Sequence, residues 1–206
     1  MRSPARTIRL VILLLTAAGC SASSGPGDDD TRPTEQLNFL RPRPNAPPLV
    51  TNTVSFLAVR GENSEVAIEY QPAPGEDSGE DFLRFRVRDR SLLARPDGTP
   101  FAEGESVQIT ITVIDPQRLI VQFEPSGLRF SPADPAELKF DFSNTDDDLD
   151  YDGDVDRVDD ALEQRLSIWR QEATGQPWVR IGSLVAEGLE EVEGELVSFT
   201  NYVIAY

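Results

Sequence analysis

The sequence predicts an all-β protein: an antiparallel β-sandwich of about nine strands, with one short helix after an acidic loop. Three observations predict it. Apolar and polar residues alternate at period two through most of residues 51–206, the signature of strands with one buried face. Turn signals such as Pro96-Asp97-Gly98, Asp115-Pro116 and Pro125-Ser126-Gly127 separate the alternating runs, at the spacing of a sandwich. Helical periodicity is almost absent.

Residues 1–19 read as a leader. Arg2, Arg6 and Arg9 form a positive start, Leu10 to Leu15 a short apolar run, and Thr16 to Gly19 a small-residue end. That pattern is a secretory signal peptide, and the run is too short for a spanning helix, which needs about 20 apolar residues. Cys20 follows at once and is the single cysteine of the chain. Ala17-Ala18-Gly19-Cys20 resembles the lipobox of bacterial lipoproteins. The resemblance implies that Cys20 is acylated and becomes the new N-terminus, and Ser21 after it suggests the outer membrane. The position three before the cysteine holds Ala17 where the pattern usually has Leu. One cysteine makes no internal disulfide, so an exported chain with a single cysteine favours the anchor.

Residues 20–50 are expected to form a disordered tether. Ser21 to Gly27 is rich in Ser and Gly, Asp28-Asp29-Asp30 is acidic, and Pro33, Pro42, Pro44, Pro47 and Pro48 follow. Such a composition buries too little apolar surface to offset its ordering entropy. Leu37-Asn38-Phe39-Leu40 is its one apolar patch, a candidate for docking on the domain.

The strands come next. Val54, Phe56 and Ala58 share a face, Gly61-Glu62-Asn63 turns the chain, and Val66, Ile68 and Tyr70 follow. Leu83, Phe85 and Val87 alternate with Arg84, Arg86 and Arg88, and these arginines are expected to pair with acids on a solvated outer face. Val107 to Val113, Leu119 to Phe123 and Leu138 to Phe142 repeat the alternation, then Leu166 with Ile168, Trp178 to Ile181, and Val197 to Tyr206. Phe130, Trp169, Trp178, Phe199 and Tyr202 are expected to fill the core between the sheets. The last run, ending at Tyr206, is a candidate edge strand for pairing with another chain.

Several of these segments form an ordered progression. Phe123-Glu124-Pro125-Ser126-Gly127-Leu128-Arg129-Phe130 precedes Pro135-Ala136-Glu137-Leu138. Leu166-Ser167-Ile168-Trp169, Trp178-Val179-Arg180-Ile181 and Ser198 to Tyr206 complete it. The progression resembles bacterial cell-surface sandwich domains related to the spectrin-binding domain of ankyrins and netrin receptors, over about Ser106 to Tyr206. It implies a sandwich for surface presentation or protein contact, without catalysis, and transfers no functional residues.

Nine of the fifteen residues from Asp146 to Asp160 are aspartate. Asp148-x-Asp150-x-Asp152-Gly153-x-Val155-Asp156-x-x-Asp159 has the spacing of an EF-hand calcium loop. In that register Asp148, Asp150 and Asp152 turn oxygens toward one centre, and Gly153 permits the bend. Asp154 offers its backbone carbonyl, Asp156 acts directly or through water, and Val155 points inward. Asp159 closes the site, with Asp160 or Glu163 as substitutes; the Asp at that place resembles dockerin and thrombospondin type-3 loops. No helix is expected before the loop, and a short one is expected over Val158 to Arg165. The alternative reading is a solvated acidic loop without a metal.

Composition bounds the function. The chain has 206 residues, 36 acids against 19 bases, a formal net charge of -17 and no histidine. A strongly acidic surface repels a phosphate backbone, which argues against nucleic acid as partner. The absence of histidine removes the usual Ser-His-Asp and Cys-His catalytic systems. The expected function is a non-catalytic, lipid-anchored envelope or cell-surface interaction module stabilised by calcium, meeting an envelope protein or glycan. The alternatives are a purely structural envelope lipoprotein without metal and, with less support, a hydrolase using paired carboxylates.

Overall fold

In the computed structural model, which describes residues 31–206, two antiparallel sheets face each other across an aromatic core. The strands are β1 (Thr31–Arg32), β2 (Thr53–Val59), β3 (Ser64–Glu69), β4 (Asp81–Val87), β5 (Leu92–Ala94), β6 (Ser106–Asp115) and β7 (Ile120–Glu124). They continue with β8 (Arg129–Phe130), β9 (Ala136–Asp141), β10 (Ser167–Gln171), β11 (Trp178–Arg180), β12 (Ser183–Ala186), β13 (Glu191–Leu196) and β14 (Asn201–Ala205). The helix α1 (Arg157–Glu163) lies between β9 and β10. The larger sheet runs β1-β11-β10-β14-β7-β6-β2, the smaller β12-β13-β9-β4-β3, and β5-β8 forms a short ribbon.

The fold is thus an all-β sandwich with one short helix, as the alternation predicts, with more strands than expected. Among the described residues there are fourteen. The unexpected ones carry weak patterns. β13 reads Glu-Val-Glu-Gly-Glu-Leu, in which only Val192 and Leu196 mark the buried face. β1 and β8 are two residues each, and β5 three.

Alternation decides which side chains reach the core. Phe85 packs against Phe123, Phe130 and Phe199 with ring centroids 5.2, 6.2 and 5.5 Å apart, and Tyr202 stands edge-on to Phe123. Its neighbours Arg84 and Arg86 face outward and meet acids: Arg86 lies 3.5 Å from Glu65 and 3.6 Å from Glu137. Arg84 pairs with Asp81, and Arg88 with Asp134 and Glu137. The outer face of the smaller sheet is a ladder of opposed charges.

Two aromatic expectations need correction. Trp169 and Trp178 are buried, but not between the sheets. They belong to a separate cluster with Ile120, Val203 and Ala205, covered by Leu37 and Phe39. The register explains it: Ile168 and Ile204 pair across β10 and β14 and enter the main core, so Trp169 and its partner Val203 point to the opposite face;.

The cover is part of the segment assigned to the tether. Thr31 and Arg32 pair with Val179 and Trp178 as β1. Trp178 Nε1 donates to Thr34 Oγ1 at 3.1 Å, and the Phe39 ring meets Trp178 at 6.0 Å. Leu40 is fully buried in the main core. Residues 31–50 are therefore a strap on the domain. Their prolines suit this: extended backbone bound at a sheet margin does not need every N–H. Residues 1–30, with the signal peptide and Cys20, lie outside the described residues.

The final strand also differs. β14 sits between β10 and β7 and is not an edge. Beyond Tyr202 it parts from β7 and pairs with the strap: Asn38 N donates to Tyr206 O at 3.3 Å and Tyr206 N to Asn38 O at 3.2 Å.

Candidate metal centre in the acidic loop

The loop leaves β9 through a tight turn in which Thr145 N donates to Phe142 O. Asp146 N then donates to Arg41 O at 2.9 Å, tying the loop entrance to the strap. Leu149 is buried in the main core and anchors the first half. The chain passes Tyr151 and Gly153, both at positive φ, +59° and +104°. A left-handed turn here is free for glycine and costly for tyrosine. The Tyr151 ring is held in compensation, with the Arg41 guanidinium 4.3 Å from its centre and its hydroxyl donating to Phe39 O at 3.3 Å.

Three of the six predicted residues converge. One oxygen each from Asp148, Asp150 and Asp152 lies within 4.8 Å of the others. Backbone donors set their rotamers. Asp152 N donates to Asp148 Oδ1 and Asp150 Oδ1 at 3.1 and 3.2 Å, and Gly153 N to Asp148 Oδ2 at 2.9 Å. Asp154 N donates to Asp152 Oδ1 at 3.2 Å. Three carboxylates at this separation repel unless a cation or protons neutralise them. The Asp150 carboxyl is pushed up by desolvation, with the charges of Asp152, Asp159 and Asp148 adding to it. Asp154 is pushed up by its side-chain hydrogen bond to Asp152 and by that group's charge. A hard cation with oxygen ligands matches this donor set.

Two of the other predicted ligands, Asp156 and Asp159, accept backbone N–H groups. Asp156 caps α1, accepting Val158 N at 2.6 Å. Asp159 completes a capping box and is only 4% exposed. Its Oδ2 accepts Asp156 N at 2.8 Å, and its Oδ1 accepts Leu149 N at 2.7 Å and Asp150 N at 3.3 Å. These donors, that of Asp156 first, hold its carboxyl below the usual carboxylate range. Asp159, expected to close the site as a ligand, ties the loop together through backbone N–H groups. Val155, expected to point inward, is 64% exposed. α1 begins two residues later with Asp156 as its cap, so the chain turns away from the core there, and Leu149 anchors in its place. α1 starts and ends slightly before the expected span.

Sequence reasoning missed the groups around the loop. Arg41, Phe39 and Tyr206 surround it from both ends of the chain, and the Tyr206 hydroxyl donates to Leu149 O. Nothing local in the sequence marks a partner more than fifty residues distant. Neither a protein-family model nor a curated protein matches this chain.

Proposed function

We propose that the chain is an exported, non-catalytic surface module, held to a bacterial membrane by a lipid on Cys20 and stiffened by calcium in its acidic loop. The single observation that supports it best is the convergence of Asp148, Asp150 and Asp152 on an all-β domain. The three carboxylates hold the cation, and the backbone ties through Asp159 hold the loop that presents them. Neutralising the cluster removes its repulsion and fixes the long connection between β9 and β10. Outside the cytoplasm, calcium reaches the ~10⁻⁴–10⁻³ M at which extracellular modules bind it. The acidic net charge sets nucleic acid aside and leaves an envelope protein or a glycan as partner;. The resemblance to surface sandwich domains and to the lipobox supports the same reading.

Thermal melting of the full chain in detergent, in EDTA and across a calcium titration, tests the metal. A saturable rise in Tm is expected, since a ligand at one hundred times its Kd stabilises the native state by about 2.7 kcal/mol. The rise should vanish in an Asp148→Ala/Asp152→Ala variant. No rise in the parent chain overturns the calcium reading. Mass spectrometry of the membrane-extracted chain tests the anchor: acyl mass on Cys20 supports it, and an unmodified cysteine overturns it.

A further inference from the structure

A cavity of about 420 Å³ opens where the strap meets the acidic loop and the turn between β6 and β7. That volume lies within the range of small-ligand sites. Arg41 of the strap and Arg118 of the turn both line it. Each guanidinium is seated on an aromatic ring: Arg41 lies 4.3 Å from the centre of Tyr151, and Arg118 5.6 Å from that of Phe39. The rings are themselves held. The Tyr151 hydroxyl donates to Phe39 O at 3.3 Å, and the Phe39 ring meets Trp178 edge-on at 6.0 Å. Cations seated on fixed rings are preorganised, so less freedom remains to be lost on binding.

These two cations are poorly neutralised in a chain of 36 acids and 19 bases. Among the described residues the Arg41 guanidinium has neither an ion pair nor a hydrogen-bond acceptor. Arg118 meets one acid, Asp115, at 3.9 Å, beyond hydrogen-bond reach;. Asp115 Oδ1 is already taken by the N–H groups of Gln117 and Arg118. On the outer face of the smaller sheet, by contrast, Arg84 and Arg86 each pair with acids. The third charged group of the cavity is Glu35, whose carboxylate has no partner among the described residues. Asn38 lines it too. Its main chain is tied to Tyr206, and its side-chain amide has no partner among the described residues.

We propose that this cavity binds an acidic sugar, a hexuronate met either free or as a residue of an acidic polysaccharide. The guanidinium groups of Arg41 and Arg118 take its carboxylate, because their planar forks of N–H donors match the two oxygens. Glu35 accepts from ring hydroxyls, and the Asn38 amide both donates to them and accepts from them. Glu35 also selects. It leaves the lining an excess of one positive charge and repels a second anionic group. One negative charge among several neutral hydroxyls therefore fits better than a phosphate of higher charge. The margins of Phe39 and Tyr151 cover the C–H groups of the ring. The proposal names the class of glycan for the surface module, and it rests on that reading only for where such a sugar is met.

Calorimetric titration of the full chain in detergent, at constant ionic strength, tests it. EDTA is present throughout, so a cation bridging sugar to the acidic loop contributes nothing. The probes are glucuronate, an oligogalacturonide, glucose and inorganic phosphate. Saturable binding of the oligomer is expected, with at least about tenfold weaker binding of glucose and phosphate. Binding of glucuronate as well admits the free sugar, and binding of the oligomer alone places the ligand within a polysaccharide; either supports the proposal. Arg41→Ala and Arg118→Gln should each weaken binding at least about tenfold, while Arg86→Gln on the other sheet leaves it unchanged. Should Arg41→Ala fail to fold by circular dichroism, Arg118→Gln alone decides. A Cys20→Ser variant should bind as the parent does, which separates this site from the anchor. No saturable binding of either uronate probe, phosphate bound as tightly as the oligomer, or binding indifferent to Arg118→Gln overturns the proposal.

Discussion

Leu149 donates its backbone N–H to the Asp159 carboxylate at 2.7 Å, ten residues further along the chain. The same residue buries its side chain in the core and accepts the Tyr206 hydroxyl on its carbonyl. Leu149 thus connects the acidic loop, the hydrophobic core and the last residue of the chain. Asp159 is the ionised end of that connection.

Asp159→Ala removes the acceptor for three backbone N–H groups. Its Tm should fall by about 5 °C or more, even in EDTA, because an unsatisfied buried donor is costly. The pH dependence has a definite sign. The folded carboxyl lies below its ordinary value, so its contribution is present above about pH 4 and is lost as pH falls through the folded value;. Melts from pH 2 to pH 7 should show a shallower acid limb for Asp159→Asn than for the parent chain.

Asp150 titrates with the opposite sign. Its folded carboxyl is raised, so its charge penalises the fold at neutral pH and the penalty eases as pH falls. Asp150→Asn should therefore raise Tm in EDTA at pH 7 and shrink the response to calcium. A variant less stable than the parent in EDTA would show that the loop depends on that charge for some other contact.

Both tryptophans of the chain lie beneath the strap. Their fluorescence reports strap docking without a label. Leu37→Ala/Phe39→Ala should shift the emission to longer wavelength and speed proteolysis within residues 31–50, with the far-ultraviolet dichroism of the sandwich retained. An unshifted spectrum would mean that Trp169 and Trp178 stay covered without those two side chains.

Adjacent residues on β4 should differ sharply in cost. Phe85→Ala opens a cavity among Phe123, Phe130 and Phe199 and should cost about 3–5 kcal/mol in chemical denaturation;. Arg86→Ala removes half-exposed ion pairs and should cost under about 1 kcal/mol;.

The legible part of the fold was the part written in strong local alternation. Val107 to Val113 and Leu83 to Val87 announce their strands, and the Asp-Gly spacing places the convergent carboxylates. Where local pattern is weak, long-range pairing decided the outcome. Val192 and Leu196 form β13 because β9 and β12 flank it. Proline content suggested disorder for residues 31–50, while an apolar sheet face that alternation could not reveal supplied Leu37 and Phe39 with a place to bury. In the loop, spacing located the oxygens but not the backbone N–H groups that Asp156 and Asp159 accept in the folded chain.

The docked strap also sets a leash length. β1 docks Thr31 on the sandwich; residues 21–30 lie between it and Cys20 in the sequence, and any ten residues span at most about 35 Å. Under the proposed anchor, the sandwich patrols a thin shell next to the bilayer. Under that anchor a ligand would meet it at the membrane surface, and undocking the strap would lengthen the leash by about twenty residues and widen the shell.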